Sequence, residues 1–497
     1  MKALVIDLTH GGVDISIELS KMGLNKIYTY DIYNTLKEED ETLLKSHNII
    51  LLKDLNEFRK LIKDEDFNEK FFIISPVHCY LTPKDIVEKD IEKFTFLNHH
   101  EAVKLILDKW NMKRNELKIP LIEVTGVKGK TSTVFLLKEI LETKNKNLLL
   151  LSSLGALLFK DGKKIILKNN ISITPASILK TIKLSKMIDN PKCNILPPKI
   201  NLEESYNFNY DTIIWESSLG VTGLGDVGIL TNLIENYPIA KNTSNAKEAK
   251  KQIFNCKIVV IDYETLNKYY FDEYEKFGYK INSFSMNPEE VNSNVVAKSI
   301  KYSLNSTLME IEYNNLKTTH GDIIKGNITI ETFAPGKHNV LNVLATLTAC
   351  LSLNINHDCI IKGLKNFKGI DGRTSKKIIK NSLIFEEINP GLNVKAIKSS
   401  IDMVKNLNNF IIIIGGKYGV TCEEINEIEL AKLLNKEIND NEIDLIFTDE
   451  LGLNLKEKMK CKIPYYEDYN KIINSCIENE KNILFIYRSK YSDLTKR

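Results

Sequence analysis

The sequence predicts a multidomain α/β protein built on parallel sheets, and three observations lead to this fold class. The chain has 497 residues, more than a single hydrophobic core usually organises, which predicts two to four domains. Short β-branched apolar runs alternate with segments of helical spacing, as strands and crossover helices do in parallel sheets. A glycine-bearing turn joins a strand-like run to a helix-like run within residues 121–141.

The first block, residues 1–113, predicts a small Rossmann-like domain. The run "ALVIDL" predicts a buried strand, and "VDISIELSKMG" carries apolar residues at helical spacing before a glycine that ends the helix. Further strands of this block are predicted at 26–33, 48–52 and 71–76. The polar segment 107–120 predicts a boundary helix and linker.

The second block, residues 114–371, predicts the central domain, and the third, residues 372–497, predicts another α/β domain. Residues 281–333 alternate with a period of two between Asn and Gly breaks, which predicts antiparallel hairpins. "GKHNVLNVLATLTACLSL" predicts a helix over 336–353. The other predicted strands of the two blocks are 146–155, 211–220, 227–233, 256–264, 382–391, 409–419, 444–449 and 482–490.

Composition and charge exclude several classes of protein. The net charge is +3 and the lysines are dispersed, so we expect no nucleic-acid partner. No uninterrupted apolar run reaches about eighteen residues and no signal peptide is evident, so we expect a cytoplasmic protein without a membrane partner. The eight cysteines form no CxxC pair, which favours free thiols over disulfides or a zinc site.

The segment "VTGVKGKTST" has the pattern of a phosphate-binding loop. A glycine turn before a helix directs backbone N–H groups and the helix dipole at one point, Lys130 supplies a charge, and the Thr131 hydroxyl suits Mg²⁺. The spacing G-x-x-G-K-T is tighter than the usual G-x-x-x-x-G-K-T. An accidental Gly-Lys turn is the alternative, but the strand–turn–helix context favours a phosphate-binding loop. The predicted loop residues are Thr125, Gly126, Val127, Lys128, Gly129, Lys130, Thr131 and Ser132.

Glu216 is the predicted carboxylate ligand of the metal. It closes the strand within "DTIIWESSLG", and the carboxyl end of a central parallel strand lies beside the phosphate loop. An acid in an apolar run is costly to bury unless it pairs with a metal or a cation. The alternative is that Glu216 ends its strand in solvent.

The order of these motifs resembles that of the Mur ligase superfamily of ATP-dependent carboxylate ligases. The resemblance covers most of the chain and includes "VTGVKGKTST", "WESSLG", "PGKHNVLNVLAT", "GIDGR" and "IIGGKYG". It implies three domains, namely a Rossmann-like N-terminal domain, a central P-loop ATPase domain and a Rossmann-like C-terminal domain. It also implies that ATP binds between the second and third domains, with Mg²⁺, and that a substrate carboxylate is activated as an acyl phosphate.

The same resemblance implies roles for single residues outside the loop. Glu216 would ligate Mg²⁺, and Lys250, in "AKEAKKQIF", matches the lysine that is carbamylated in this superfamily. Lys130, Glu216, Lys250 and Arg373 are therefore the expected catalytic residues. At the nucleotide, the resemblance implies three further residues, Asn339, Asn342 and Lys417. At the substrate cleft it implies Ser153 and Thr174.

Two departures from the family pattern concern the second metal and the third domain. The Asp-His pair that follows the Thr-Asn strand is replaced by Asn236 and Tyr237, which leaves Glu235 as a possible metal ligand. The later Asp and His are replaced within "FEEINP", where Glu386 or Glu387 is available. No selector for a diamino acid is recognisable in the third domain.

The first domain is expected to choose the substrate. "DLTHGG" places His10, Gly11 and Gly12 in the turn where a Rossmann unit grips its ligand, and "SPVHCY" places His78 at another strand end. His10 as an ordinary loop residue and His78 as a core residue are the alternatives. Both segments resemble an archaeal branch of the superfamily that activates a propionate with ATP and closes the last carbocyclic ring of the nickel tetrapyrrole of methanogens.

Three functions therefore compete at this point. The first is a ring-closing ligase that uses ATP and an anionic nickel seco-tetrapyrrole. The second is an archaeal amide ligase, for example for pseudomurein peptides, which would need an amine as co-substrate. The third is an NTPase switch or binding protein without ligase activity, which the segments "GKHNVLN" and "DGR" disfavour. The sequence does not specify an oligomeric state.

Overall fold

The computed structural model describes residues 1–63, 69–144, 147–188, 208–405, 409–419, 424–441, 443–489 and 491–494. The strands are β1 (Lys2–Ile6), β2 (Lys26–Tyr30), β3 (Ile50–Leu52), β4 (Phe71–Ser75), β5 (Phe94–Asn98), β6 (Leu121–Thr125), β7 (Leu148–Ser152), β8 (Gly155–Lys160), β9 (Lys163–Lys168), β10 (Thr212–Glu216), β11 (Val227–Leu230), β12 (Pro238–Ile239), β13 (Ser244–Asn245), β14 (Ile258–Asp262), β15 (Ile281–Ser285), β16 (Val295–Lys301), β17 (Thr307–Lys317), β18 (Ile323–Thr332), β19 (Arg373–Ile379), β20 (Ser382–Ile388), β21 (Phe410–Gly416), β22 (Asp444–Thr448), β23 (Tyr465–Tyr466) and β24 (Asn482–Arg488).

The helices follow the strands in the alternation that the sequence predicts. They are α1 (Val13–Lys21), α2 (Glu38–Ser46), α3 (Leu55–Lys63), α4 (Pro83–Val87), α5 (His99–Ile106), α6 (Asp108–Glu116), α7 (Lys130–Glu142), α8 (Pro175–Met187), α9 (Ala246–Lys250), α10 (Tyr263–Tyr269), α11 (Phe271–Phe277), α12 (Lys337–Ser352), α13 (His357–Asn366), α14 (Val394–Val404), α15 (Glu427–Asn441), α16 (Asp449–Lys456), α17 (Tyr469–Glu478) and α18 (Tyr491–Leu494). Within the described ranges, no helix is both long and apolar enough to cross a membrane.

The first sheet has the order β3-β2-β1-β4-β5, and all of its strands are parallel. The strand order reverses between β1 and β4, and ligands of open α/β sheets bind beside such a reversal. The Rossmann-like character predicted for residues 1–113 is therefore present. Its last strand and helix, β5 and α5, do not appear among the predicted elements. Asn98 begins α5 with a capping box in which its side chain accepts from the Glu101 N–H at 3.1 Å.

The second sheet contains the phosphate loop and has the order β18-β17-β16-β15-β14-β11-β6-β10-β7-β8-β9. Its centre, β14-β11-β6-β10-β7, is parallel and almost entirely buried, whereas β8 and β9 form an antiparallel edge. The third sheet has the order β19-β20-β24-β21-β22-β23 and is parallel except for the pair β19–β20. The chain is thus α/β throughout.

One part of the sequence prediction is wrong. Antiparallel hairpins were expected over 281–333, and this expectation is wrong for β15, which is parallel to both of its neighbours, β14 and β16. The polar residues of β15 are buried and satisfied internally. Asn282 Nδ2 donates to the Lys317 carbonyl at 2.7 Å, and the Ser283 N–H donates to Asn294 Oδ1 at 3.0 Å. Period-two alternation reports which side chains face the core and does not determine strand direction.

The chain forms two compact units, one of residues 1–299, 310–329 and 341–363, and one of 300–309, 330–340 and 364–497. Within the first unit, a single hydrophobic core joins the first sheet's helices to β6, β7, β10 and α8. Trp110 stacks on Trp215 across this core at 5.6 Å between ring centroids. Two ion pairs lie in the same region. Lys183 Nζ of α8 lies 2.5 Å from Glu18 Oε1 of α1, and Arg114 Nη1 of α6 lies 2.6 Å from Asp226 Oδ2. The domain boundaries at 113/114 and 371/372 remain predictions.

Candidate active site

The phosphate loop connects β6 to α7 as predicted, and two glycines give it its shape. Gly126 has φ 145° and Gly129 has φ 82°, conformations that L side chains rarely adopt. A Cβ on Gly126 would lie 2.0 Å from Thr231 Oγ1, so the loop has no room for a side chain there. The Lys130 ammonium folds back on the loop and donates to the Gly126 carbonyl at 3.0 Å. A phosphate in the loop would offer this ammonium a charged acceptor instead.

The end of β11 holds the loop in place. Thr231 Oγ1 donates to the Lys128 carbonyl at 2.6 Å, and Asn232 Nδ2 donates to the same oxygen at 3.0 Å. The Val127 N–H donates to the Asn232 carbonyl at 3.1 Å. Sequence reasoning did not include Thr231 and Asn232 in the site. The signal that identifies them is a polar pair directly after a buried strand next to the loop strand.

Thr131, Ser153 and Glu216 form a compact group of oxygen ligands beside the loop. The Thr131 hydroxyl donates to Glu216 Oε1 at 3.0 Å and lies 3.0 Å from Ser153 Oγ. The Ser153 N–H donates to Glu216 Oε2 at 3.0 Å. Glu216 is only 1% exposed, so the structure contradicts the alternative that it ends its strand in solvent. The sequence predicts Ser153 at the substrate cleft. In the structure, the contacts described for Ser153 are with Thr131 and Glu216, the predicted metal ligands.

Lys250 is buried at the end of α9. Its side chain has no exposed surface, and its Nζ donates to the Ser218 carbonyl at 2.5 Å. Burial holds the pKa of the Lys250 ammonium well below its usual range, and the positive charge of Lys130 lowers it further. The neutral amine is the form that reacts with CO₂, so this environment suits the carbamylation that the resemblance implies.

The residues that replace the Asp-His pair have structural contacts. Asn236 Oδ1 accepts the Lys247 N–H at 2.8 Å, and the Tyr237 carbonyl accepts the Ala246 N–H at 3.0 Å, so both hold the start of α9. Glu235 is exposed in the loop between β11 and β12. Its assignment as a metal ligand stays a prediction.

Asn342 lies directly over the phosphate loop. A Cβ on Gly129 would come within 2.0 Å of Asn342 Oδ1, which places this amide at the start of α7. The contact of Asn342 with the nucleotide itself stays a prediction. Asn339, three residues earlier, accepts the Gly336 N–H at 3.0 Å through Oδ1. Its nucleotide contact stays a prediction.

The second unit carries Arg373 and Lys417 at strand ends of the third sheet. Arg373 begins β19 opposite Glu387 of β20, and the register shifts at Thr374, which has φ 55°. Thr374 Oγ1 hydrogen-bonds to Glu387 and lies 3.2 Å from His338 Nε2. Lys417 is exposed directly after β21. The contacts of both cations with ATP remain predictions.

The predicted substrate residues of the first domain converge on Asp7, which sequence reasoning did not single out. His10 Nδ1 lies 2.6 Å from Asp7 Oδ2, and His78 Nε2 lies 3.5 Å from the same oxygen. Burial alone would raise the pKa of Asp7, but the hydrogen bonds from His10 and His78 outweigh burial and lower it. The hydrogen bond to Asp7 raises the pKa of His10. The signal for Asp7 was its position as the first residue after β1.

The two glycines after His10 are closely packed, Gly11 against helix α8 and Gly12 within the turn itself. A Cβ on Gly11, which has φ 98°, would lie 2.3 Å from the Ala176 Cβ, and a Cβ on Gly12 would lie 2.3 Å from the Asp7 carbonyl oxygen. Ala176 is the second residue of α8, which Thr174 precedes at the N-cap position. This contact brings the turn that contains His10 to the start of α8, and the substrate contacts of His10 and Thr174 stay predictions.

Comparison with known proteins gives two kinds of likeness. Residues 376–490 match the family model described as coenzyme F430 synthetase CfbE, C-terminal domain. The coenzyme F(430) synthetase of Methanosarcina acetivorans is 27% identical over 462 residues, 88% of this chain and 87% of that protein. The coenzyme F(430) synthetase of Methanocaldococcus jannaschii is 28% identical over 472 residues, 94% of this chain and 96% of that protein.

The fold is similar to that of solved Mur ligases. The MurF ligase of Thermotoga maritima, solved in complex with ADP, superposes with a TM-score of 0.54 and 14% identity. The match covers 96% of this chain and 95% of that one. This likeness confirms the predicted three-domain α/β architecture.

Proposed function

Since the chain is a member of the Mur ligase superfamily that resembles the coenzyme F430 synthetases, we propose that it is a cytoplasmic, ATP-dependent ligase that closes the last carbocyclic ring of a nickel tetrapyrrole. The organic substrate would be seco-F(430), and one of its propionate side chains would be activated as an acyl phosphate. ADP, phosphate and the cyclised macrocycle would be the products.

The observation that carries the ligase chemistry is the contact between Thr131, Ser153 and Glu216 beside the phosphate loop. A carboxylate and two hydroxyls are hard oxygen ligands of the kind that Mg²⁺ prefers. The Glu216 carboxylate is 1% exposed, and a buried carboxylate is stabilised by a bound cation, so Mg²⁺ suits this site. Mg²⁺ held there would neutralise the phosphate oxygens of ATP during transfer.

The chain's own cations supply the remaining charge stabilisation. Lys130 would contact the outer phosphates, and Arg373 would contact the γ-phosphate. A substrate carboxylate oxygen attacks the γ-phosphorus, the bond to the bridging oxygen breaks, and ADP leaves. Fixed positive charge lowers this barrier because negative charge builds up on the transferring group and both reactants are anions.

The second step forms the new bond. A carbon of the same macrocycle, after losing a proton, attacks the acyl carbon, and the acyl C–O bond breaks to release phosphate. The macrocycle therefore loses the atoms of one water in total. The absence of a recognisable diamino-acid selector in the third domain supports an intramolecular nucleophile.

The first domain and the start of α8 would hold the macrocycle. His10, Gly11, Gly12 and His78 lie at the reversal of strand order in the first sheet, and Gly11 lies against Ala176 near the start of α8, where Thr174 is proposed to contact the substrate. Lys250 would act after carbamylation, when its buried carbamate would offset the positive charge of Lys130.

A phosphate-release assay with ATP, Mg²⁺ and seco-F(430) as the sole organic substrate tests this function. Stoichiometric phosphate and a product lighter by one water, with a changed absorption spectrum, are expected without added amine. Phosphate release that begins only when an amino acid or peptide is added would replace ring closure by amide ligation. ATP hydrolysis that no carboxylate stimulates would point to an NTPase without ligase activity.

A further inference from the structure

Asp7, His10 and His78 lie at one place in the first sheet although His78 is far from the others in sequence. Asp7 and His10 follow β1, and His78 follows β4. These two strands are adjacent and parallel, and the strand order reverses between them. The three side chains therefore occupy the crevice at the carboxyl ends of the strands, where α/β sheets bind ligands.

Three ligand-type atoms from the three side chains form a closed triangle. Asp7 Oδ2 and His10 Nδ1 are 2.6 Å apart, Asp7 Oδ2 and His78 Nε2 are 3.5 Å apart, and the two ring nitrogens are 3.3 Å apart. Zinc-type bonds of about 2.0–2.2 Å place neighbouring ligand atoms roughly 3 Å apart or slightly more. Two sides of the triangle already have this length. The third is a hydrogen bond, and a metal would replace its proton.

The Asp7 carboxylate is oriented for this arrangement. Its side chain is fully buried, and Oδ1 accepts the N–H groups of Thr9 at 2.9 Å and His10 at 3.3 Å. These bonds leave Oδ2 directed at the two imidazoles, in the way that outer hydrogen bonds orient carboxylates at metal sites. Asp7 also has φ 70° and ψ 97°, and non-glycine residues held in such sparsely populated conformations cluster at active sites and ligand clamps.

Charge compensation of Asp7 explains why one histidine lies beside it, but not why two histidines do. One imidazolium suffices for one buried carboxylate, and a second imidazolium on the same oxygen would repel the first. Two neutral imidazoles and a carboxylate that share a cation avoid this repulsion. The side chains of His10 and His78 are 41% and 26% exposed, so an ion can enter from solvent.

We propose that Asp7, His10 and His78 bind a divalent transition-metal ion, with open coordination positions toward the cleft. Two imidazoles and one carboxylate suit Zn²⁺, Ni²⁺, Co²⁺ or Fe²⁺, whereas Mg²⁺ and Ca²⁺ prefer oxygen alone. The ion differs from the nickel of the proposed substrate. A macrocyclic nickel has four ring nitrogens around it and accepts a protein ligand only at an axial position, whereas three donors converge here.

Metal content of the full-length protein tests the site without ATP or an organic substrate, so the result is independent of ligase activity. The protein is treated with a chelator, exposed to Zn²⁺, Ni²⁺ or Co²⁺ separately, freed of excess ion and analysed by mass spectrometry of the metal. About one ion per chain and a visible absorption band with Co²⁺ are expected. His10→Gln, His78→Gln and Asp7→Asn should each weaken binding by about tenfold or more.

His320→Ala, which removes an exposed histidine in the turn after β17, is the matched control and should bind metal as the parent does. Tryptophan fluorescence checks that each variant is folded. Metal far below one ion per chain in the parent protein overturns the site, as does equal binding by the three variants. The site is also rejected if no free ion binds and His10→Gln changes only the spectrum of bound seco-F(430).

Discussion

The Thr131 hydroxyl donates a hydrogen bond to the Glu216 carboxylate at 3.0 Å, although 85 residues separate them in sequence. Adjacency of β6 and β10 produces this contact, because Glu216 pairs with Val124 in the parallel register. The phosphate loop and the metal-type carboxylate are thus fixed to each other by two neighbouring strands. Their relative position does not depend on a mobile loop.

Glu216→Gln should abolish Mg²⁺-dependent ATP turnover while the fold is retained. The amide keeps the size of the side chain and removes the charge that binds the cation. Turnover as a function of Mg²⁺ concentration measures the effect, and we expect a loss of at least about a hundredfold. Ser153→Ala keeps the backbone N–H that binds Glu216 and serves as the milder comparison. Unchanged Mg²⁺ dependence in Glu216→Gln would remove this residue from the metal site.

Lys130→Ala should abolish ATP turnover without unfolding the chain, because it removes the charge at the outer phosphates. Lys138→Ala, two turns later on α7, is the matched control, since Lys138 pairs with Glu139 and Glu142 away from the loop. Steady-state phosphate release and tryptophan fluorescence measure activity and folding. Parent-like turnover in Lys130→Ala contradicts the phosphate-loop assignment.

Arg373→Ala should bind ATP normally and lose the chemical step. A cation that acts on charge developing in the transition state lowers the rate constant at saturating substrate and leaves ground-state affinity nearly unchanged. Lys377→Ala, on the same strand and paired with Glu386 at 2.8 Å, is the control. An equal rate constant at saturation in Arg373→Ala would reject the proposed contact with the γ-phosphate.

Ligase activity should depend on dissolved CO₂ through Lys250. Burial lowers the pKa of the Lys250 ammonium and so favours the neutral amine, which can form a carbamate that restores charge balance beside Lys130. Activity should fall in CO₂-depleted buffer and recover with bicarbonate. Lys250→Ala should be inactive in both buffers, whereas Lys251→Ala, its neighbour, should behave as the parent. A CO₂-independent parent enzyme would exclude the carbamate.

His100 should make the first unit sensitive to acid. Burial lowers the pKa of His100 from 6.5 to about 3. Between these pH values its imidazole stays neutral in the folded protein, whereas the same imidazole takes up a proton in the unfolded chain. Stability is therefore lost as pH falls from 6.5 toward 3, by roughly 2 kcal/mol between about pH 8 and about pH 5. His100→Leu should lose less stability over this range by about that amount.

Urea unfolding followed by tryptophan fluorescence measures this difference. The chain has two tryptophans, Trp110 and Trp215, and both lie in the core of the first unit. His10 and His99 titrate in the parent and in the variant alike, so their contributions cancel in the comparison. An equal pH dependence in His100→Leu would show that His100 is accessible to protons in the folded state.

Much of the site was predictable where local sequence fixes geometry. Gly126, Gly129 and Lys130 form a phosphate loop because strand, glycine turn and helix are contiguous. Thr231 and Asn232 were missed because their role arises from pairing between β6 and β11, which a single sequence does not display. Asp7 was missed for a similar reason, since its partner His78 reaches it only through the pairing of β1 with β4.

The strands were predictable from the sequence where a buried apolar run identifies them. The direction of a strand relative to its neighbours was less predictable. Buried runs such as those of β10 and β14 predicted strands correctly. The antiparallel prediction for 281–333 was wrong at β15. The polar residues of this strand are buried and hydrogen-bonded inside the protein, so the polar positions did not mark a solvent-facing side of an antiparallel strand. Short elements with mixed composition, such as β5, gave too weak a periodic signal to be recognised.

The contact between Gly11 and Ala176 limits how this ligase can be recombined with its relatives. The missing side chain at Gly11 accommodates the methyl group of Ala176, so the two positions must change together. Residues 1–113 also share their hydrophobic core with α8 and β10, so replacing this region alone with that of a relative would disrupt the core. A chimera that imports a new substrate-recognition segment should therefore carry the first residues of α8 with it. Altered specificity would have to evolve through coordinated replacement on both sides of this contact.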